Sequence, residues 1–245
     1  MARDGDRLFS VIIPSTGRRP KALAQAVRSV ERAAEFAGLE RDQLEILIGF
    51  DGVRGKAPAC VHPIIAFNLS QDNDWGNGIR KTLMKVAAGD KLLFLDDDNS
   101  LKPAALHLFL RYFDAEMIVG RIDTQLAFDK PYLPVVDSGS LVRPGNIDPL
   151  CLCVSRRLVM DRCDGWDYCG ERDADYLNIH KWYRRAQSVT VMEEVVGVYD
   201  SGRSLDNNAL SPRQQDLLDS MAAERGIRVS ERALFKVGSA SLTLA

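Results

Sequence analysis

Apolar positions fall along the chain in two alternating rhythms. Residues 8–14, LFSVIIP, are a β-rich apolar run closed by a proline, which predicts a strand. After the turn STGRRP, residues Leu23, Ala26, Val27, Val30, Ala33, Ala34 and Ala37 recur at helical period, which predicts a helix over 21–37. LEILIGF (44–50) predicts a second buried strand ending on Asp51-Gly52, and IIAFN (64–68) a third. A helical stretch over 78–88 is stopped by Gly89-Asp90 before the strand KLLFL (91–95).

Strands alternating with helices at this spacing predict an α/β fold, with a mixed, mainly parallel sheet and helices on both faces. In such sheets ligands bind beyond the carboxyl ends of the strands. Three polar clusters fall at those ends: Pro14-Ser15-Thr16, Asp51-Gly52 and Asp96-Asp97-Asp98.

Farther along, the pattern predicts a helix over 103–113 and a strand around Met117–Gly120. Residues 123–150, with Pro131, Pro134, Pro144 and Pro149, suit a loop or short antiparallel strands over a site. LCVSRRLVM (152–160) begins as a strand and turns helical, GWDYCGERD is a loop, 173–186 a helix and VTVMEEVVGVYD (189–200) a strand. The turn-rich segment SGRSLDNNALSP leads to a polar helix over 212–225 and an apolar tail suited to an edge strand.

Composition narrows the classes. The 245 residues are 46% hydrophobic and 27% charged, an ordinary globular balance that excludes a disordered, collagen-like or coiled-coil chain. With no Pro/Ser/Gly-rich linker, 1–245 reads as a single domain. A formal charge of −2 gives no general attraction to nucleic acid, so no nucleic-acid partner is expected. No apolar run approaches the ~20 residues of a membrane span, and the start MARDGDRLF lacks a signal-peptide core, so the expected location is cytoplasmic. Five cysteines fit reduced thiols, and the spacing of Cys151, Cys153, Cys163 and Cys169 lacks the paired CxxC of a common zinc site.

Three adjacent aspartates after a buried strand repel one another unless a cation or hydrogen bonds offset the charge. If the chain stays extended, Asp96 and Asp98 share a side. Hard carboxylate oxygens suit Mn²⁺ or Mg²⁺, which bind through one or two carboxylates plus substrate phosphate oxygens, so a metal diphosphate is the expected ligand. The plain alternative is a solvated cap on the following helix.

Taken together, SVIIPSTGRRPKALAQAVRSV, EILIGFDG and AAGDKLLFLDDDNSLKPAAL resemble the opening strand and helix, the aspartate-ended second strand and the DXD strand of family 2-like glycosyltransferases of GT-A fold, over about residues 8–200. The resemblance implies a UDP- or GDP-sugar donor, a divalent metal and inverting transfer to an acceptor hydroxyl. It also divides the chain into a nucleotide-sugar half (8–102), an acceptor and catalytic half (103–210) and a C-terminal helix and tail (211–245).

Carried across residue by residue, Pro14, Ser15 and Thr16 would line the nucleotide pocket and Asp51 would meet the base. Asp96 would lie near the ribose and the metal, Asp98 would hold the metal, and Asp97 could share either role. Arg80, after the Gly76-Asn77-Gly78 turn, would face the nucleotide or its phosphates. An inverting transfer needs a base for the acceptor hydroxyl. GERDADYLNIHKW resembles the family's acidic motif in diverged form, which makes Asp173 the candidate, with Asp175 and Glu171 as replacements because Arg172 stands where an acid is usual.

Trp166, Tyr168 and Trp182 surround this helix; a Trp is as a rule core, although such faces also stack on sugar rings. His180, seven residues after Asp173 and on a similar face, reads as a surface or satisfied helix histidine rather than an aid to a metal or acceptor. The loop from Ser201 to Asn208, with Arg203, is placed to close over the diphosphate. The acceptor is a carbohydrate or a lipid-linked one, which leaves peripheral membrane contact and a homo-oligomer open.

Rival readings are weaker. LLFLDDDNS also resembles a haloacid-dehalogenase-type phosphatase opening, but that motif belongs near a chain start and its later lysine and acidic pair are missing. GFDGVRGKA departs from a P-loop at Phe50 and Ala57, and GxGxxG is absent. A catalytically silent domain that binds a nucleotide-sugar or serves as an assembly partner is the remaining alternative, with Arg172 as its support.

Overall fold

The computed structural model describes residues 7–72, 74–128, 130–167, 173–202 and 204–207. One sheet organises them, with strands β1 (Phe9–Ser15), β2 (Leu44–Asp51), β3 (Ile64–Leu69), β4 (Lys91–Phe94), β5 (Ser100–Leu101), β6 (Met117–Asp123), β7 (Tyr132–Leu133), β8 (Leu152–Ser155) and β9 (Val189–Val198). Its order is β3-β2-β1-β4-β8-β6-β9-β5, with β7 beside β6. The amino-terminal strands β3-β2-β1-β4 are all parallel. Beyond β4 the sheet is mixed: β8 runs antiparallel to both β4 and β6, while β6 and β9 are parallel.

Helix α1 (Pro20–Ala37) connects β1 to β2, and α2 (Asn77–Val86) connects β3 to β4. The first crossover moves toward the β3 edge and the second moves back past β1. Right-handed crossovers in opposite directions put their helices on opposite faces, and they make the crevice between β1 and β4 the topological switch point. The clusters at Pro14–Thr16 and Asp96–Asp98 end these two strands.

Strands β1 and β4 are buried along their whole length, as a sheet covered on both faces requires. Helix α1 turns its apolar stripe inward, burying Leu23, Val27 and Val30. It ends at Gly38 (φ 67), where the amides of Gly38 and Leu39 donate to Glu35 and Ala34, a Schellman stop that needs a left-handed residue.

Several details go beyond or differ from the expectation. Helix α2 ends at Val86, short of Gly89, which is instead pressed against β1, where a Cβ would lie 2.5 Å from the carbonyl carbon of Phe9. Helix α3 covers only Ala105–Arg111, and residues Arg157–Arg162 wind as a π-helix after β8. The last strand leads into a short helix, α5 (Ser204–Asn207), inside a segment expected to be loop.

Among the described residues no helix is long and apolar enough to cross a membrane. Cys151, Cys153 and Cys163 are buried free thiols and Cys60 is a half-buried one. Cys169, the helix expected over 212–225 and the apolar tail lie outside the described residues.

Candidate active site

A cavity of about 760 Å³ opens over the carboxyl ends of β1, β2 and β4 and takes in Pro14, Ser15, Thr16, Asp51, Arg80, Asp96, Asp97 and Asp98. The structure thus brings these expected residues together. Asp175 also lines it, from the first turn of α4 (Ala174–Arg185).

The acidic triplet is held by two guanidiniums. Asp97, only 1% exposed, accepts from the Ser15 hydroxyl at 2.6 Å and pairs with Arg19 at 2.5 Å. Asp98 pairs with the other terminal nitrogen of Arg19, so one guanidinium spans two neighbouring carboxylates. Asp96, at the cavity mouth, takes Arg80 at 2.5 Å. Burial pushes the Asp97 carboxyl up to about 6, against the pull of Arg19 and of the Ser15 hydroxyl. The triplet is therefore tied to β1 and to the residue before α1, a link between segments far apart in sequence.

Arg80 is 2% exposed. Its guanidinium donates to the Trp75 carbonyl at 3.1 Å, lies 3.8 Å from Asp175 Oδ1 and rests over the Trp166 ring at 5.2 Å. Burial acts to lower its pKa, but Asp96 and Asp175 outweigh it and the net direction is upward, so Arg80 is a permanent cation. Burial also raises the Asp175 carboxyl above its usual range. Asp148, which caps the turn Pro149–Cys151 through the Leu150 amide at 2.8 Å, is pushed up to about 7, first by burial and then by the charge of Asp96.

Asp173 is the exposed N-cap residue of α4 and is not among the cavity-lining residues. One residue on, the helical twist turns Ala174 inward, and Asp175 follows it onto the cavity side. Glu171, Arg172 and Tyr168 lie outside the described residues, as does Arg203. Trp166 and Trp182 are fully buried and pack on Phe94 at 5.4 and 5.6 Å. They are core residues, and their faces are not offered to a sugar. His180 is half-buried against Tyr176.

Reading the sequence alone does not find Arg19, Trp75 or Tyr199, all of which line the cavity. Arg19 sits in a turn where a basic residue is unremarkable, and Asp148 before Pro149 carries the signature of a cap rather than of a charged site. The strap after β9 is anchored on the triplet's backbone: the Gly202 amide donates to the Asp98 carbonyl at 2.7 Å.

The lining holds five carboxylates against two guanidiniums. A diphosphate entering this cavity adds negative charge and needs a further cation. Among the described residues no three His, Cys, Asp or Glu side chains converge to hold a metal. What the triplet offers a hard cation is the pair Asp96 and Asp98, each of which meets a guanidinium in the structure.

A family model described as Glycosyl transferase family 2 matches residues 10–140. No curated protein sequence matches the chain. Among solved structures the chain is similar to S. aureus TarS 1-349 in complex with UDP, with a TM-score of 0.64 and 14% identity, over 93% of this chain and 68% of that one. The same TarS segment in complex with UDP-GlcNAc gives a TM-score of 0.63 and 14% identity, over 93% and 69%. The mannosyltransferase PcManGT from Pyrobaculum calidifontis, in complex with GDP-Man and Mn²⁺, gives 0.56 and 13% identity, over 94% and 67%. At such identities the likeness is one of fold, and these neighbours have the GT-A fold.

Proposed function

Because the chain belongs to glycosyl transferase family 2 and is thus a glycosyltransferase, we propose that it moves a sugar from a UDP- or GDP-sugar to a carbohydrate or lipid-linked hydroxyl, with inversion and with the help of Mn²⁺ or Mg²⁺. The observation that carries this reading is the paired cluster at the switch point, where Asp96, Asp97 and Asp98 meet Arg80 and Arg19 at the ends of β1 and β4. Residues 8–102 serve as the donor half and 103–210 as the acceptor half.

Pro14, Ser15, Thr16 and Asp51 form the nucleoside end of the cavity. Arg80, fixed by Asp96, presents a permanent positive charge toward the diphosphate. Asp96 and Asp98 hold the divalent ion, which when bound supplies Lewis-acid stabilisation of the leaving diphosphate. Asp97, already engaged by Ser15 and Arg19, positions its two neighbours. The ligands UDP-GlcNAc and GDP-Man of the similar structures support a nucleotide-sugar here without choosing between uridine and guanosine.

The attacking hydroxyl must give up its proton. Asp175 accepts it, because it faces the cavity and burial raises its carboxyl, which makes its carboxylate a stronger base. Asp173, exposed at the helix start, is the rival for this role. The strap after β9, tied to the triplet through the Gly202 amide and the Asp98 carbonyl, closes over the diphosphate end.

Calorimetry with UDP and GDP in Mn²⁺ tests the reading, and Asp98→Ala sharpens it. The wild type binds one of the two nucleotides in a metal-dependent manner, and the variant loses the metal-dependent part, with transfer falling by about 10²–10³-fold. Unchanged affinity in Asp98→Ala removes the assigned site. Nucleotide-sugar binding without transfer to any acceptor would instead make the chain a binding or assembly protein.

A further inference from the structure

Of the three tryptophans, Trp166 and Trp182 are fully buried, whereas Trp75 is 76% exposed and lines the cavity. An indole left in water at the rim of a polar cavity is not serving the core. We propose that Trp75 is the platform on which the nucleobase of the donor stacks, an inference that rests on the donor reading above.

The ring is displayed by a built support rather than by a free loop. Trp75 has φ 48 and Gly76 φ 82, two consecutive left-handed residues, a conformation disfavoured for a bulky side chain that persists only where surroundings impose it. The surroundings do so from three sides. The Trp75 carbonyl accepts from buried Arg80 at 3.1 Å, and Arg80 is itself fixed on Asp96. The Asp74 carbonyl accepts from both the backbone and side-chain nitrogens of buried Asn77 at 2.9 Å, while Asn77 Oδ1 accepts from the Trp166 indole at 3.0 Å. Gly76 is pressed against β1, where a Cβ would stand 2.8 Å from the Pro14 Cβ, so its backbone lies directly on the end of that strand. Side-chain hydrogen bonds in the core thus aim an exposed ring.

Its position selects the occupant. The segment leading to Trp75 is tied to the end of β2, since the Asp72 amide donates to Asp51 Oδ1 at 2.7 Å. The ring therefore belongs to the rim formed by β1 and β2. A nucleobase is a flat π-surface edged by N–H donors, which suits an aromatic face beside an aspartate. Thr16, at the end of β1, brings no ring of its own, so among the cavity-lining residues of this rim the aromatic surface comes from Trp75. Stacking of this kind tolerates either a uracil or a guanine.

Trp166 and Trp182 emit as well, so the contribution of Trp75 is the part of the intrinsic fluorescence that Trp75→Phe removes. UDP or GDP, and the matching monophosphate, quench the emission with the midpoint that calorimetry gives for binding, whereas free N-acetylglucosamine or mannose leaves it unchanged. Trp75→Ala weakens nucleotide binding about tenfold, the usual effect of losing one stacked base, and Trp75→Phe stays within about threefold of wild type. If UDP or GDP binds the wild type while its emission is unmoved and Trp75→Ala keeps the same Kd, the platform is wrong and the donor reading stands. Quenching by a free saccharide but by no nucleotide overturns the platform by giving the ring to the acceptor. If calorimetry detects no nucleotide with either metal, the platform and the donor reading fall together.

Discussion

Buried carboxylates sit at both ends of the parallel strands, and they are treated in opposite ways. At the amino end, Glu45 of β2 is 1% exposed and is met by the Ser10 hydroxyl at 2.6 Å, the Ala88 amide at 2.7 Å and Arg7 at 2.8 Å. Ser10 in turn accepts the Gly89 amide at 2.8 Å. One anion has several donors, two of them from groups fixed by the backbone fold. At the carboxyl end, Asp96, Asp97, Asp98 and Asp175 share Arg19 and Arg80, and burial drives Asp97 up to about 6. The first network is closed and structural. The second keeps an excess of negative charge facing a cavity, which is what a site that admits a cationic partner requires.

Replacing the bases and partners at each end should separate the two. The largest effect is expected for Asp175→Asn, which keeps shape and donor affinity but lowers transfer by about 10³-fold; measuring kcat beside UDP or GDP affinity checks it, and equal loss in Asp173→Asn alone would move the base to the helix cap. Next comes Glu45→Ala, which strands Arg7, Ser10 and the Ala88 amide and lowers stability by about 3 kcal/mol in chemical denaturation, with nucleotide affinity unaltered. Arg19→Gln leaves Asp97 and Asp98 without their shared cation and costs about 2 kcal/mol, less than a fully stranded ion because Asp97 can take up a proton. Added Mn²⁺ should return part of that loss in a thermal melt, whereas it should do nothing for Glu45→Ala.

The smallest effect is one of pH. The Asp148 carboxyl titrates at about 7 in the fold against 3.8 as its ordinary value, so between these limits the folded chain holds a proton that the unfolded chain has released. Stability from this group is complete below about pH 4 and declines as pH rises toward about 7. Asp148→Asn should flatten that decline, as read from denaturation midpoints at the two ends of the window.

Much of this contrast follows from strand ends. The runs at 8–14, 44–50 and 91–95 are apolar because both faces of the parallel strands are covered, so their polar ends at Pro14–Thr16, Asp51 and Asp96–Asp98 stand out in the sequence and converge in the fold. What could not be read was pairing across distance. Arg19 is one of two adjacent arginines in a turn, and only the placement of β4 beside β1 brings it to Asp97 and Asp98. Exposure was equally hidden: Trp166 and Trp182 flank an acidic helix yet fill the core, while Trp75, in a turn of Asp, Gly and Asn, stands in solvent. For α4, a spacing of two residues decides whether a carboxylate meets the cavity, and the composition of ERDAD is silent on that rotation.

The short helix α5 carries one more lesson. Its Asp206 accepts the amides of Lys21 and Ala22, at 2.9 and 2.8 Å, across a sequence separation of 185 for the first. The amino end of α1, immediately after Arg19, is therefore completed by one of the last described residues. During synthesis the opening strands can pair long before this acid leaves the ribosome, and the guanidinium that steadies the triplet gains its final support only afterward. A fragment cut behind residue 102 would keep the opening strands and lose the finishing of that helix end.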